Sequence, residues 1–523
     1  MKSSSPPVTL RGMRRIGALL AAATLAVGLT ACGGTDTTGG AGGSGDDSTV
    51  SIGYAFATET YDPLYAIAGA QASAHIHALY GALIERDADG NERPGMAESW
   101  EWVNPTTLTF KIRPDMTFTD GEPYDAAAVK TWLDYARSAE DAPYSNLSAV
   151  ENVVVEDPLT VTLELSRPDP RLTKFFVGHM GAVPSPKSIE AGDLGINPVG
   201  AGPYTLDPGR TVIDNTYTYV KNPDYWNADR IEFDTLELKI YTDANAMFNA
   251  VVSGQVDVGY GNGSNFEAAE SNGDLEILSR PQNSNGISLW DIEGVNVPAF
   301  ADVNVRRALN YAVDRQSIID TVFQGQGTPS ALAFTPGSGP GYDESLLDYY
   351  DYDPERARQL LAEAGYPDGF TFDAVTLGKD QPLAEAVAGN LSEVGVTMNL
   401  IVRPPGETAN TDIGKYDAGA TALGLADSFA TPANLWLGPA SATNQRGYEV
   451  PEIRALYDRM VNSGGQEQVD LMNEIARISV EDAYGLRVGY VNSLTYYHPD
   501  RVADITVLPG HGGPYILEGL TKP

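Results

Sequence analysis

The strongest constraint on this chain of 523 residues is that it has one cysteine, Cys32. No internal disulfide can staple it, so apolar cores must hold whatever it folds into. The means are present. Hydrophobic residues make up 42% of the sequence, ample for packed interiors and far from a disordered composition. The length corresponds to about three domain-sized units.

The same cysteine ends a distinctive opening segment. Lys2, Arg11, Arg14 and Arg15 precede an apolar run over residues 16–29. That is the layout of a secretory signal, with a run shorter than the about 20 residues that a spanning helix needs. Leu29-Thr30-Ala31-Cys32 resembles a bacterial lipobox, in which small residues let a peptidase reach the bond before the cysteine. Cys32 could be an incidental thiol, but its position, context and uniqueness favour lipidation. Residues 1–31 then read as a lipoprotein signal peptide and Cys32 as the acylated first residue of the mature protein. Acyl chains contribute about 0.8 kcal/mol per buried methylene, so several would hold the protein on a bilayer. Residues 32–49, dominated by Gly, Thr, Asp and Ser, read as a flexible linker. The expected location is the outer face of the cytoplasmic membrane, or the periplasm. Arg14-Arg15 leaves the Sec and twin-arginine export routes both open.

Charge narrows the partners. Lys and Arg total 34 against 70 Asp and Glu. The first 31 residues hold four of the basic residues and no acidic one, so the remainder is more acidic still. Such a body repels phosphate backbones, which excludes nucleic acid as a partner. It is also repelled by anionic lipid, which gives a covalent anchor its use. The acidity serves solubility and leans toward amine-bearing ligands.

Elements alternate along the rest of the chain. Residues 50–56 read as a strand, followed by a turn through Asp62-Pro63. Residues 107–112 read as a strand, and residues 153–155 and 160–165 as a pair joined at Asp157-Pro158. Between them Ala126, Val129, Leu133 and Ala136 fall at helical spacing. Strands follow over residues 216–220 and 235–241, a helix over 244–253 ending at Gly254, and a strand over 256–260. Asp302 can cap a helix with Val305, Ala308, Leu309, Ala312 and Val313 on one face. Asp353 can cap another, with Pro354 in its first turn and Gly365 past its end. This alternation predicts an α/β fold.

Six stretches, in order, resemble the extracellular solute-binding proteins of ABC importers, family 5, which includes oligopeptide-, dipeptide- and nickel-binding members. They are Met96-Ala97-Glu98-Ser99-Trp100; Phe110 to Pro114 with Thr117 to Pro123; Pro198 to Tyr204; Lys221 to Trp226; Val303 to Leu309 with Ala312 to Arg315; and Asp353 to Tyr366. Met116 and Thr119 depart from the family pattern. The resemblance implies a two-lobed periplasmic-binding-protein-like fold of type II, with an extra inserted subdomain and two crossings at the hinge. It would place lobe I at residues 50–66, 198–285 and 489–523, the inserted subdomain at 67–197, and lobe II at 286–488. The ligand would be buried when the lobes close.

Asp427, before Phe429-Ala430-Thr431-Pro432, resembles the family's "W-x-x-D-x-x-x-P" stretch, whose aspartate pairs with a ligand amine in peptide-binding members. Gly424 stands in place of the tryptophan, implying a different or roomier pocket. A cap or turn role for Asp427 is equally open. Trp290 and Trp436 offer apolar contact and a face for a cation, against an ordinary core role. Thr58 and Glu59 follow the first strand, where the family often places a cleft loop. Arg306 and Asp314 read as helix anchors.

No catalytic constellation appears. His75-Ile76-His77 could put two ligands on one strand face, but no Cys or carboxylate stands at metal spacing beside them. Residues 259–263 lack the dinucleotide fingerprint, and Gly337-Ser338-Gly339 lacks a nucleophile elbow. The expectation is a monomeric, non-enzymatic binding protein with no cofactor and no metal. Its partners would be a captured small molecule or peptide, a membrane permease of the ABC class, and the bilayer through acylated Cys32. Peptide is the default cargo, with an opine, a sugar or a metal chelate as alternatives. A receptor or chaperone using the same cleft is a further reading, and an extracellular hydrolase a remote one.

Overall fold

The structure is a computed structural model. It describes residues 48–55, 57–66, 70–87, 91–139, 147–169, 172–261, 263–334, 340–403, 415–424, 432, 436–437, 446–506 and 517–523.

The chain enters on β1 (Thr49–Tyr54), whose residues from Val50 onward are all buried. The helix Ala70–Tyr80 follows, then the small hairpin of β2 (Ile84–Arg86) and β3 (Glu92–Pro94). A four-stranded antiparallel sheet is built from β4 (Ala97–Asn104), β5 (Thr107–Ile112), β6 (Val150–Asp157) and β7 (Thr160–Leu165), in the order β4-β5-β7-β6. The helix Ala126–Ser138 covers it, started by Asp125, whose side chain accepts from the Ala128 amide. Its Trp132 is fully buried and donates to the Met180 carbonyl at 2.9 Å.

The expected strand pair at Asp157-Pro158 is therefore present. The reading of His75-Ile76-His77 as a strand is corrected: these residues lie on the helix Ala70–Tyr80. Alanines at positions 70, 72, 74 and 78 favour helix. Residues two apart do not share a helix face, so His75 is buried while His77 is only partly so.

The chain then returns through β8 (Tyr204–Leu206), β9 (Thr216–Lys221), β10 (Thr235–Ile240) and β11 (Val258–Gly261). Two unusually long strands follow among shorter ones. These are β12 (Glu276–Leu289) and, after β13 (Gly327–Pro329), β14 (Thr371–Leu377), β15 (Thr397–Arg403) and β16 (Ala418–Gly424), the strand β17 (Gly485–Tyr497). The large sheet runs β15-β14-β16-β12-β17-β11-β1-β10-β9-β8, with β13 added on β17.

That order explains the architecture. At about 3.3 Å per residue, β12 and β17 are long enough to pass from one core into another. One core gathers Ile52, Tyr54, Leu238 and Val258 together with Phe110 and Trp132 of the smaller sheet. Two others gather Ile287, Leu289, Val305, Leu309 and Leu486, and Leu332, Phe334, Trp436, Ile453 and Ile475. The first lies beside β1, β9 and β10; the others lie beside β14 to β16 and the helices packed there. The result is a two-lobed α/β body, and β12 and β17 are the strands common to both lobes. Their pairing is antiparallel throughout, with register shifts between Pro281 and Asn283 and between Asn285 and Gly286.

In the second lobe Asp302 caps the helix Val303–Tyr311, accepting from the Asn304 amide. Asp353 caps Pro354–Glu363, accepting from Arg356. Asp314 caps Arg315–Val322. Arg306 donates to the carbonyls of Phe300, Ala301 and Asp482, fixing the helix against the end of the helix Gly465–Glu481. Among the described residues no helix is long and apolar enough to cross a membrane.

Candidate binding face and family

The sheet of the second lobe has two unlike faces. Side chains alternate along a strand, so Ile287 and Leu289 of β12, Leu486 and Val488 of β17, and Ala418 and Ala420 of β16 all enter one apolar core. The intervening positions are Ser288, Arg487 and Thr421. Arg487 Nη2 donates to Ser288 Oγ and to Thr421 Oγ1, each at 2.9 Å. The two hydroxyls lie 2.8 Å apart. Nη1 is 3.4 Å from the Ser284 carbonyl.

Gly286 is the register partner of both Arg487 and Thr421. With no side chain between them, the guanidinium lies across β12 and reaches the third strand. Only 4% of Arg487 is exposed. Burial lowers its pKa to about 10, with the Tyr448 phenol opposing the shift, so it stays a cation at neutral pH. Among the described residues none of its hydrogen-bond partners is a carboxylate.

Trp290 lies on this same face, at the end of β12. It is 2% exposed and packs with Val375 and Tyr416. A Cβ added at Gly419 would stand 2.2 Å from its ring. Its Nε1 is buried with no partner among the described residues. The loop after it is firmly tied. Asp291 accepts from the amides of Asn296 and Val297 at 2.8 and 2.7 Å, and from Arg446 at 2.6 Å. The same guanidinium reaches Asp417 at 3.1 Å. Here a partly buried cation has two carboxylate partners.

Trp436 stands on the other flank, 6.1 Å from Phe334 between ring centroids. With Ser288, Asn310, Tyr350, Tyr484 and Arg487 it borders a cavity of about 20 Å³, room for one water-sized group.

The loop after β1 belongs to the first lobe. Thr58 is buried, its hydroxyl donating to the Thr60 carbonyl at 2.6 Å while its own carbonyl accepts from the Tyr217 hydroxyl at 3.3 Å. Glu59 is exposed. Behind them His75 is enclosed by Tyr217 and Tyr219, its Nδ1 2.5 Å from the Tyr219 hydroxyl. Burial pulls its pKa down to about 3, so it is neutral.

Trp290 and Trp436 are therefore brought to one face of the second lobe. No hydrogen bond among the described residues links Thr58 or Glu59 to either indole. Asp427 and Cys32 lie outside the described residues. Sequence reasoning passed over Arg487, Ser288, Thr421 and Arg446. One signal was available: Leu486-Arg487-Val488 puts a single cation into an apolar strand, where charges are rare. No group of three or more His, Cys, Asp or Glu side chains among the described residues is placed to hold a metal ion.

Residues 91–445 match the family described as bacterial extracellular solute-binding proteins, family 5 middle. The glutathione-binding protein GsiB of Salmonella paratyphi A (strain ATCC 9150 / SARB42) is 28% identical over 493 residues, covering 89% of this chain and 93% of that protein. The heme-binding protein A of Haemophilus influenzae (strain ATCC 51907 / DSM 11121 / KW20 / Rd) is 28% identical over 377 residues, covering 65% of this chain and 68% of that one. Among solved structures, NikA from Brucella suis in complex with Fe(III)-EDTA superposes with a TM-score of 0.79 at 22% identity, covering 91% of this chain and all of that one. The periplasmic binding protein DppA from Helicobacter pylori, in complex with the peptide STSA, gives 0.74 at 18%, covering 90% and 97%. The match spans more than half of the sequence, the fold agrees with it, and the chain belongs to the bacterial extracellular solute-binding proteins, family 5.

Proposed function

We propose that this protein is the exported, lipid-anchored capture component of an ABC importer, and that it closes its two lobes around a peptide without altering it. One observation carries the reading: β12 and β17 are hydrogen-bonded to each other and common to the cores of both lobes. Two shared strands make a hinge, and hinge closure around a solute is a recurrent device. In this reading residues 50–66, 198–285 and 489–523 form lobe I, residues 67–197 its inserted subdomain, and residues 286–488 lobe II.

Peptide is favoured as cargo because the relative GsiB is named for glutathione, itself a small peptide. An extended peptide backbone can also pair with exposed strand edges. Asp427 would take the ligand's amine, with Thr58, Glu59, Trp290 and Trp436 contributing to the walls. Cys32 would carry the lipid.

Native mass spectrometry of the freshly purified full chain tests the cargo. A retained mass matching a short peptide supports the reading, and a retained non-peptide solute overturns the peptide assignment. Asp427→Asn is expected to weaken an amine-bearing ligand at least tenfold, about 1.4 kcal/mol; unchanged affinity removes Asp427 from the site. Cys32→Ala is expected to release the protein from membranes, and retention there refutes the anchor.

A further inference from the structure

Three buried arginines surround the start of β17, and they are not satisfied alike. Arg306 is bonded to the carbonyls of Phe300, Ala301 and Asp482. Arg315 donates from Nε to the Arg487 carbonyl, from Nη1 to the carbonyls of Asn310 and Tyr350, and from Nη2 to Asn310 Oδ1 at 2.7 Å. Each of its nitrogens has a partner fixed by the backbone or by a neighbour.

Arg487 differs. Its Nη2 rests on two hydroxyls, its Nη1 has one contact at 3.4 Å, and no hydrogen bond from its Nε is formed among the described residues. An enclosed cation without a carboxylate is costly, and this one sits in a chain whose net charge is −36. Acidic groups are plentiful, yet none pairs with it among the described residues.

The partners it does have are informative. A serine or threonine hydroxyl accepts from a guanidinium and can also turn its proton outward to an anion. Ser288 and Thr421 are bonded to each other, so the pair has one hydroxyl proton left to offer beside the cation, and Ser288 and Arg487 border a cavity sized for one oxygen. Arg446, beside the C-terminal end of β12 and the start of β16, shows a guanidinium paired with carboxylates, Asp291 and Asp417, that the chain itself supplies.

We infer that Arg487, Ser288 and Thr421 form a receiving site for a carboxylate of the captured solute, which completes a guanidinium that no carboxylate among the described residues pairs with. The inference rests on the solute-capture reading above and extends it to the class of ligand: a small molecule with a free carboxylate. A guanidinium favours such a group through charge-assisted, often bidentate bonds.

The test uses acetate, the carboxylate alone, titrated into the full chain and followed by tryptophan fluorescence and by the shift in melting temperature. A saturable response to acetate is expected, none to neutral acetamide, and at least a tenfold weaker acetate response in R487Q. Equal responses to acetate and acetamide, or undiminished acetate binding by R487Q, overturn the inference. Tighter binding of inorganic phosphate than of acetate overturns the carboxylate class. Should R487Q not fold, Thr421→Val carries the same test: it is expected to weaken acetate severalfold, and an unchanged response sinks the site. A parallel titration with trialanine keeps the two readings apart. Acetate bound through Arg487 with trialanine ignored removes the peptide assignment and leaves the carboxylate site. Trialanine and its C-terminal amide bound equally removes the site and leaves the peptide assignment.

Discussion

His75 in the first lobe and Arg487 in the second are both ionisable and both almost fully enclosed, yet burial leaves them in opposite charge states. His75 sits among the rings of Tyr54, Tyr217 and Tyr219, and enclosure drives it neutral. Its ordinary pKa is close enough to neutrality for desolvation to strip the proton. An arginine starts far higher, so the same physics lowers Arg487 only to about 10 and leaves the charge in place. At His75 the first lobe buries polarity without charge, while at Arg487 the second retains a cation within its interior. The difference separates groups that fill space from groups that hold potential for a guest.

Within the second lobe the contrast can be sharpened by removing one guanidinium at a time. Arg315→Met is expected to have the largest effect, a loss of about 3–5 kcal/mol in urea unfolding. It strands the carbonyls of Arg487 and Tyr350 and the Asn310 side chain, which Arg315 now serves. A loss below about 1 kcal/mol would mean that these acceptors are satisfied in another way.

The next effect concerns acid. His75 has a folded pKa near 3 against an ordinary value of 6.5, so between those values the unfolded chain takes up a proton that the folded one refuses. Stability from this group is complete above about pH 6.5 and is lost as the pH falls toward 3, at about 1.4 kcal/mol per pH unit. His75→Phe is expected to flatten the stability profile between pH 6 and 4 by that slope. An unchanged slope would show that His75 is protonated in the fold.

The smallest effect is expected for Arg487→Met, below about 1 kcal/mol in the same unfolding assay. Its removal strands little, because Ser288 and Thr421 remain bonded to each other. If Arg487→Met costs as much as Arg315→Met, the two arginines are alike and the contrast between them collapses.

The elements legible in the sequence were those specified by neighbouring residues. Thr107–Ile112 was marked by its alternation, and the helices after Asp302 and Asp353 by their caps. The histidines at 75 and 77 fit either periodicity because the alternating polar pattern covers only three residues; the surrounding alanines decide for helix, and the Gly81 amide donates to the His77 carbonyl four residues back at 3.1 Å. The candidate site was less legible for a different reason. Arg487 meets Ser288 across 199 positions and Thr421 across 66. No local pattern announces such a meeting, since it depends on which strands become neighbours. Trp290 and Trp436 were noticed for their chemistry, but only the order β16-β12-β17 puts them on one face with a cation.

The pairing of β12 with β17 has a mechanical consequence. A ladder of bonds that continues from one lobe into the other resists shear, because sliding would break every rung together. It yields to torsion, which is spread over many rungs, and most readily where the register slips near Pro281 and Gly286. Approach of the two halves is then close to a single rotation, and selectivity becomes a question of the angle at which a guest stops the turn.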